Sequence, residues 1–264
     1  MVSIVLPTYN RADTLEKSIE SVLNQTCQDF ELIIIDDGSK DNTSDLVSQY
    51  MKSHQNIKYF YQDNAGYPAA INRGLIECTG EFIAFEDSDD IWDKEKLHNE
   101  IELLKSTNSD FAFCQIKYLN APILIPDADP ADKNDNILPR LLKGNIVGGP
   151  TLVFKRECIN KIGGFDTKLP SLQDYDFAIR LAQNYYASFV PKPLLYCTLS
   201  NDSVSVDNGK YFQAMLIILN KYRNLFNEYP ESQKEFINNL LNKAELIGMR
   251  NNVETIINNV LFEK

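Results

Sequence analysis

Phe30-Glu31-Leu32-Ile33-Ile34-Ile35 is apolar throughout except at Glu31, and no other stretch limits the fold as strongly. A strand apolar on both faces belongs inside a sheet covered on both sides, as in parallel sheets wrapped by helices. The neighbouring sequence supplies the wrapping. Val2–Leu6 is a β-branched run that stops at Pro7. Asp13, with Glu16 three residues on, offers an N-cap for a helix carrying Leu15, Ile19, Val22 and Leu23 at helical spacing. After the polar segment Asp36–Thr43 come a helix ending near Ser53, a strand at Ile57–Tyr61 and a helix at Pro68–Glu77. A strand at Glu81–Phe85, a helix around Lys94–Leu104 and a strand at Asp110–Tyr118 follow. This alternation predicts an α/β fold with a mostly parallel sheet flanked by helices.

Between Leu119 and Asp135 the pattern dissolves into a loop rich in Pro, Asp and Ala, and it resumes near Ile137. Gly148-Gly149-Pro150 and Gly163-Gly164 punctuate the next segment. A helix near Tyr175–Gln183 and a strand-like Ala187–Val190 come after. Beyond about Asp207 the chain turns to Asn-rich helices with apolar positions at Phe236, Leu240 and Leu241.

The formal net charge of −11 argues against a nucleic-acid groove, which needs clustered Lys and Arg, and it suits a ligand that brings its own cation. The five cysteines, Cys27, Cys78, Cys114, Cys158 and Cys197, are odd in number and scattered, which predicts reduced thiols in a cytoplasmic protein. No signal peptide is expected, and apolar runs such as Leu32–Ile35 and Ala214–Leu219 are too short to span a bilayer.

Three polar clusters each follow an expected strand: Pro7-Thr8-Tyr9-Asn10, Asp36-Asp37-Gly38-Ser39 and Asp87-Ser88-Asp89-Asp90. Ligands of such sheets bind beyond the carboxyl ends of the strands, so the three should converge on one rim. Glu86, Asp87, Asp89 and Asp90 repel one another unless a cation or protons relieve them, and an oxygen-only set suits Mg²⁺ or Mn²⁺. A solvated turn would also accommodate these carboxylates. A second D-x-D, Asp127-Ala128-Asp129, stands in the Pro-rich loop beside no other polar cluster and reads as surface. A carboxylate at Asp37 can accept the imide N–H of uracil or thymine or the N1–H of guanine, donors that adenine and cytosine lack. Other nucleotide-binding plans fail, since no G-x-G-x-x-G follows Val2–Leu6 and Pro150 stands where a P-loop needs Lys. Asp174, in Gln173-Asp174-Tyr175-Asp176, opens a helix. It suits either a cap or a general base taking a proton from an attacking hydroxyl.

Taken together, these motifs resemble family 2 of the glycosyltransferases, the inverting enzymes with the GT-A fold. The resemblance runs through residues 2–11 and 30–39, then Asn64-Ala65-Gly66 with Ala70, Asn72 and Gly74. It continues in Gly80-Glu81-Phe82-Ile83, Asp87-Ser88-Asp89-Asp90, Gly163-Gly164-Phe165-Asp166 and Asp174-Tyr175-Asp176, covering residues 1 to about 205 in family order. It implies a nucleotide site made by Pro7, Thr8, Tyr9, Asn10, Asp36, Asp37, Asn64, Gly66, Asn72 and Ser88. It implies a Mg²⁺ or Mn²⁺ site at Asp87, Asp89 and Asp90, an acceptor side at Gly164, Phe165 and Asp166, and a catalytic base at Asp174.

The implied organisation is a nucleotide-sugar-binding half at 1–118, an acceptor half of the same domain at 119–206 and a helical tail at 207–264. The implied reaction moves a hexosyl or N-acetylhexosaminyl group from a UDP-sugar to a saccharide or lipid-linked saccharide, in the assembly of a surface polysaccharide or glycoconjugate. The expected setting is the cytoplasm, at the inner face of the membrane, with peripheral membrane contact and a homodimer through the C-terminal helices as further expectations. Two departures from the family pattern stand out. Gln173 replaces the usual Glu before the base, and Thr198 and Ser200 stand where many members carry Arg and His before a Ser-x-Ser, here Ser203-Val204-Ser205. The second departure keeps open an alternative, a nucleotide-sugar-binding protein of the same fold with impaired transfer.

Overall fold

The computed structural model describes residues 1–126, 136–198 and 207–262. Asp127-Ala128-Asp129, Ser200 and Ser203-Val204-Ser205 lie outside the described residues. The first half alternates as expected: β1 (Val2–Thr8), α1 (Ala12–Leu23), β2 (Phe30–Asp36), α2 (Thr43–Ser53), β3 (Ile57–Tyr61), α3 (Tyr67–Glu77), β4 (Phe82–Phe85), β5 (Ile91–Trp92), α4 (Lys96–Thr107), β6 (Phe111–Tyr118) and β7 (Leu124–Ile125). Then come α5 (Leu138–Leu141), β8 (Leu152–Lys155), α6 (Ile159–Ile162), α7 (Gln173–Ala182) and β9 (Ala187–Cys197). The chain finishes in α8 (Asn208–Lys221), α9 (Arg223–Glu228), α10 (Pro230–Leu246) and α11 (Arg250–Phe262).

Among the described residues the strands form one sheet in the order β3-β2-β1-β4-β8-β6-β9-β5, with β7 paired to β6. β1 runs parallel to β2 and β4, β2 to β3, and β6 to β9. β8 is antiparallel to both β4 and β6 and joins the two halves of the sheet. All residues of β1 and β2 are buried, as expected of predominantly apolar strands covered on both faces.

Alternation along the strands divides the core in two. Ile4, Leu6, Leu32, Ile34 and Ala84 face α1, α2 and α4, which contribute Leu15, Ile19, Val47, Leu97 and Ile101. Val5, Ile33, Ile35, Phe85 and Phe154 face a larger cluster that takes in α3, α7 and the C-terminal helices. The tail therefore shares a core with the sheet, through Phe212, Ile218, Phe226, Phe236 and Leu240. No described helix is long and apolar enough to cross a membrane. One helix start differs from expectation. The N-cap of α1 is Arg11, with no side-chain bond, and Asp13 lies within the first turn, because the loop before it is fixed instead by Ala12 N–H donating to Asp41 Oδ2 at 3.1 Å.

Glu31, the polar interruption in β2, is buried and fully engaged. Its carboxylate accepts from Ser3 Oγ at 2.5 Å, from the Thr79 N–H and hydroxyl at 2.8 Å each, and from Lys58 Nζ at 2.7 Å. Burial by itself would raise its pKa, but these donors outweigh burial and hold it at about 2, below the ordinary 4.5. A carboxylate with a depressed folded-state pKa contributes stability above the unfolded value and loses it as pH falls through the folded value. Stability should therefore decline between pH 4.5 and about 2 through this residue. Thermal melts of Glu31→Gln across that window should show a lower melting temperature at pH 6 and a flatter acid limb than wild type. An acid limb as steep as wild type would disprove the assignment.

Candidate active site

Because β1 to β4 are mutually parallel, their carboxyl ends share one edge, and the three polar clusters meet there. The loops lock through backbone groups. Asp37 N–H donates to the Thr8 carbonyl at 2.8 Å, Asn10 N–H to Ser39 Oγ at 2.8 Å, and Lys40 N–H to Asn10 Oδ1 at 2.7 Å. Gly38 has φ 88, and a Cβ on it would stand 2.9 Å from Asn64 N, so the turn needs glycine for both conformation and room. Pro7 and Thr8 are buried at the end of β1, Ser88 is buried beneath its turn, and Asn10 and Asn64 are exposed. Tyr9, 46% exposed, presents its ring on the rim.

The two adjacent aspartates differ. Asp36 is 1% exposed, its Oδ1 accepting Ser39 N–H at 2.7 Å and its Oδ2 the Tyr59 hydroxyl at 2.6 Å. Both oxygens help to hold the turn and β3 in place, so Asp36 serves first to fix the loop that carries Asp37. Asp37 Oδ1 accepts from Gln62 Nε2 at 2.7 Å and Ala65 N–H at 2.9 Å, and Oδ2 accepts from Gly66 N–H at 2.8 Å. A carboxylate offers about four acceptor positions, so one remains on Oδ2 for a ligand donor. Gly66 enters the site as part of this same tie.

Two other expected contacts are also internal. Asn72 donates from Nδ2 to the Phe165 carbonyl at 2.9 Å and accepts Phe165 N–H on Oδ1 at 2.7 Å, a clamp between α3 and the residues before α7. The clamp takes one N–H and one oxygen lone pair of the amide. A Cβ on Gly164 would fall 2.2 Å from Asn72 Oδ1, so the clamp requires glycine there. Phe165, 4% exposed, packs its ring on Phe85 and Phe177 at centroid distances of 5.3 and 5.0 Å. Its ring belongs to the core beneath the expected acceptor side.

The acidic turn after β4 is under electrostatic stress. Burial first, then the charges of Asp90 and Asp89, push the Asp87 pKa well above the usual range, against the Tyr67 hydroxyl that donates to Asp87 Oδ1 at 3.1 Å. Burial raises Asp90 to about 7 against a bond from Cys197, with Asp89 adding to the rise. Glu86 is fully buried, neither oxygen has a hydrogen-bond partner, and burial and then the charges of Asp90 and Asp87 raise it strongly. Asp89 is exposed, with Arg11 at 4.0 Å. Uncompensated carboxylates of this kind accept a divalent cation readily. Among the described residues no three His, Cys, Asp or Glu side chains are grouped to hold a metal by themselves. The donor set still fits Mg²⁺ or Mn²⁺, which commonly take one or two carboxylates and complete their shell with water and diphosphate oxygens.

Asp174 faces this turn. Its Oδ1 accepts Tyr175 N–H at 2.8 Å, and Oδ2 accepts Gly149 N–H at 3.3 Å and Asn145 Nδ2 at 3.4 Å. It is not the N-cap of α7. That position is Leu172, at φ 59 and without a side-chain bond. Burial raises the Asp174 pKa in spite of these three donors. A Cβ on Gly149 would stand 3.6 Å from both Asp174 Cβ and the Tyr67 hydroxyl oxygen, so the Tyr67 hydroxyl that bonds Asp87 is also a neighbour of Asp174. Sequence reasoning missed Tyr67, Asn145 and Gly149. Only for Tyr67 was a signal present, since it directly follows Asn64-Ala65-Gly66.

A helix-wrapped sheet with its carboxylates gathered at the carboxyl edge is the GT-A arrangement of a nucleotide-sugar transferase, and the comparisons agree. S. aureus TarS in complex with UDP-GlcNAc superposes with a TM-score of 0.75 at 23% identity, covering 92% of this chain and 72% of that one. The mannosyltransferase PcManGT from Pyrobaculum calidifontis, in complex with GDP-Man and Mn2+, superposes with a TM-score of 0.67 at 18% identity, covering 100% of this chain and 87% of that one. The glycosyl transferase family 2 model matches residues 3–125. A protein of Bacillus subtilis (strain 168) named as the teichuronic acid biosynthesis glycosyltransferase TuaG is 33% identical over 220 residues, 80% of this chain and 83% of that protein. The chain belongs to glycosyltransferase family 2.

Proposed function

We propose that the chain is an inverting transferase that moves a sugar from a UDP-sugar to an acceptor hydroxyl, with Asp174 as the general base. The observation that carries this reading is the placement of Asp174, with its raised pKa, beside the Tyr67 hydroxyl that bonds the acidic turn at Asp87. A sugar bound between the two would have a base on one side and the diphosphate on the other. Asp174 takes the proton as the acceptor oxygen attacks the anomeric carbon from the face opposite the departing UDP, so the configuration inverts. Gly149 N–H and Asn145 hold the carboxylate in place, and Tyr67 fixes Asp87. The free acceptor position on Asp37 receives the uracil imide N–H, and Tyr9 offers a ring to the base. A Mg²⁺ or Mn²⁺ held by Asp87 and Asp89, with Asp90 adjoining, would neutralise charge on the leaving diphosphate. The likeness to a protein named for teichuronic acid biosynthesis supports a surface polysaccharide or glycoconjugate as the product.

Ligand-induced thermal shifts test the donor half of this reading. At equal concentration with Mn²⁺, UDP should raise the melting temperature more than ADP or CDP by mass action, and EDTA should reduce the UDP shift. A charge-assisted bond to Asp37 contributes about 1.5–3 kcal/mol, or roughly ten- to a hundred-fold in affinity. Equal shifts from UDP and ADP would remove Asp37 as the reader of the base.

A further inference from the structure

The C-terminal helices reach the site through one buried ionic cluster. Asp176 is fully buried in the first turn of α7, two residues beyond Asp174. Its Oδ2 accepts from Arg180 Nε at 2.9 Å, and its Oδ1 takes the Tyr222 hydroxyl at 2.7 Å and Lys221 Nζ at 2.6 Å. Lys221, the last residue of α8, also reaches Asp166 Oδ2 at 2.8 Å. Arg180 donates onward from Nη2 to the Gly164 carbonyl at 2.8 Å and from Nη1 to the Ile162 carbonyl. Two carboxylates and two cations thus tie α8, α7 and residues 162–166 into one neutral unit. No catalytic role is left in it for Asp176 or Asp166, because both are committed to these partners.

We infer that α8 is a positioning element for transfer: Lys221 and Tyr222 hold Asp176 and Asp166, and through them the segment that carries Asp174. The need for such a brace is visible locally. Leu172 caps α7 in the left-handed region without a side-chain bond, so no capping side chain fixes the first turn, which has short-range ties such as Gln173 Nε2 to the Leu169 carbonyl at 2.8 Å. The acceptor side and the base are instead held from outside, by Asn72 on Phe165, by Gly149 on Asp174 and by the tail on Asp176. Removing Lys221 leaves two carboxylates against one guanidinium: Asp176 keeps Arg180 and Tyr222, while Asp166 loses its cation and residues 163–166 lose their tie to α8. The inference rests on Asp174 as the base, since a brace matters to chemistry only where the braced residue reacts.

The test uses the full chain with Lys221→Met, Lys221→Arg and Tyr222→Phe. Amide hydrogen exchange is measured on residues 163–176 in the ligand-free protein, and UDP release from UDP-GlcNAc with Mn²⁺ gives kcat and KM. Lys221→Met should lose protection across 163–176 while residues 30–66 keep theirs. Its kcat should fall by about 10–10²-fold, the scale of a small misplacement of a reacting group, with KM for UDP-GlcNAc within about twofold. Lys221→Arg should restore both, and Tyr222→Phe should show a smaller change in the same direction. Unchanged protection at 163–176 in Lys221→Met overturns the proposal. So does a lower melting temperature with an unaltered kcat per folded molecule, which is the result of a purely structural brace. If instead Asp174→Asn releases UDP as fast as wild type, the assignment of the base fails, and the exchange result still decides whether α8 holds the segment.

Discussion

Asp174→Asn should leave a protein with a near-normal melting temperature and normal UDP affinity whose transfer rate has fallen by about 10²–10⁴-fold, the range for loss of a general base. Asn is nearly isosteric and keeps one oxygen acceptor for Gly149 N–H, at 3.3 Å in the native protein, and gives up the bond from Tyr175 N–H, a cost of about 0.5–1.5 kcal/mol that leaves the fold intact. It cannot take up a proton. In the proposed reading the donor binds at the turns of Asp37 and Asp87, which the substitution does not touch. Paired steady-state and melting measurements read the outcome. Transfer near the wild-type rate would remove Asp174 as the base, and Asp176 or Asp166 could not inherit the role, since Lys221 holds both at 2.6 and 2.8 Å. Early melting with full activity per folded molecule would reduce Asp174 to a packing residue.

A chain ending at residue 206 should not fold to a soluble monomer. Phe212, Ile218, Phe226, Phe236 and Leu240 belong to the same buried cluster as Phe85, Tyr175 and Phe177. Each buried side chain of this size contributes about 1.5–3 kcal/mol, so losing five costs about 7.5–15 kcal/mol, as much as the stability of about 5–15 kcal/mol typical of a whole domain. Polar ties go with them, including Ser232 Oγ to the Pro139 carbonyl at 2.7 Å and the Lys143–Glu235 pair at 2.9 Å. Size-exclusion chromatography of the shortened chain should show aggregate in place of a sharp peak. A monodisperse product that melts cooperatively would show the tail to be an appendage.

The parallel strands were legible because they are long apolar runs, and β1, β2, β3 and β6 fall close to where those runs predict them. Short strands carried no such signal. β5 and β7 have two residues each, and β8 hides behind Gly148-Gly149-Pro150. β9 continues to Cys197, past Pro191 and Pro193 and beyond the expected Ala187–Val190. The ladder tolerates them through register shifts at Cys114/Gln115 and Gln115/Ile116. Site residues on the loops after strands were legible from their order along the chain. Their division of labour was not, because Asp36 and Asn72 are committed to Tyr59 and Phe165, partners set by tertiary packing. Tyr67, Asn145 and Gly149 meet only in three dimensions.

The position of β8 bears on how the molecule assembles. Ala84 and Ala112 are both paired with Val153, so the edge of β4 stays open until residues 152–155 arrive. A nascent chain that has emerged only through Tyr118 holds most of its motif residues but exposes that edge and the apolar face of β4. Closing it requires pairing across about 70 residues of intervening chain, a long-range step of the kind that slows folding and leaves early intermediates prone to aggregation. The same wiring opposes exchange of halves between relatives. A chimera cut between β6 and β8 would have to match a foreign strand to two native neighbours at once, so recombination points for altering acceptor choice belong in the loops around the sheet and not across it.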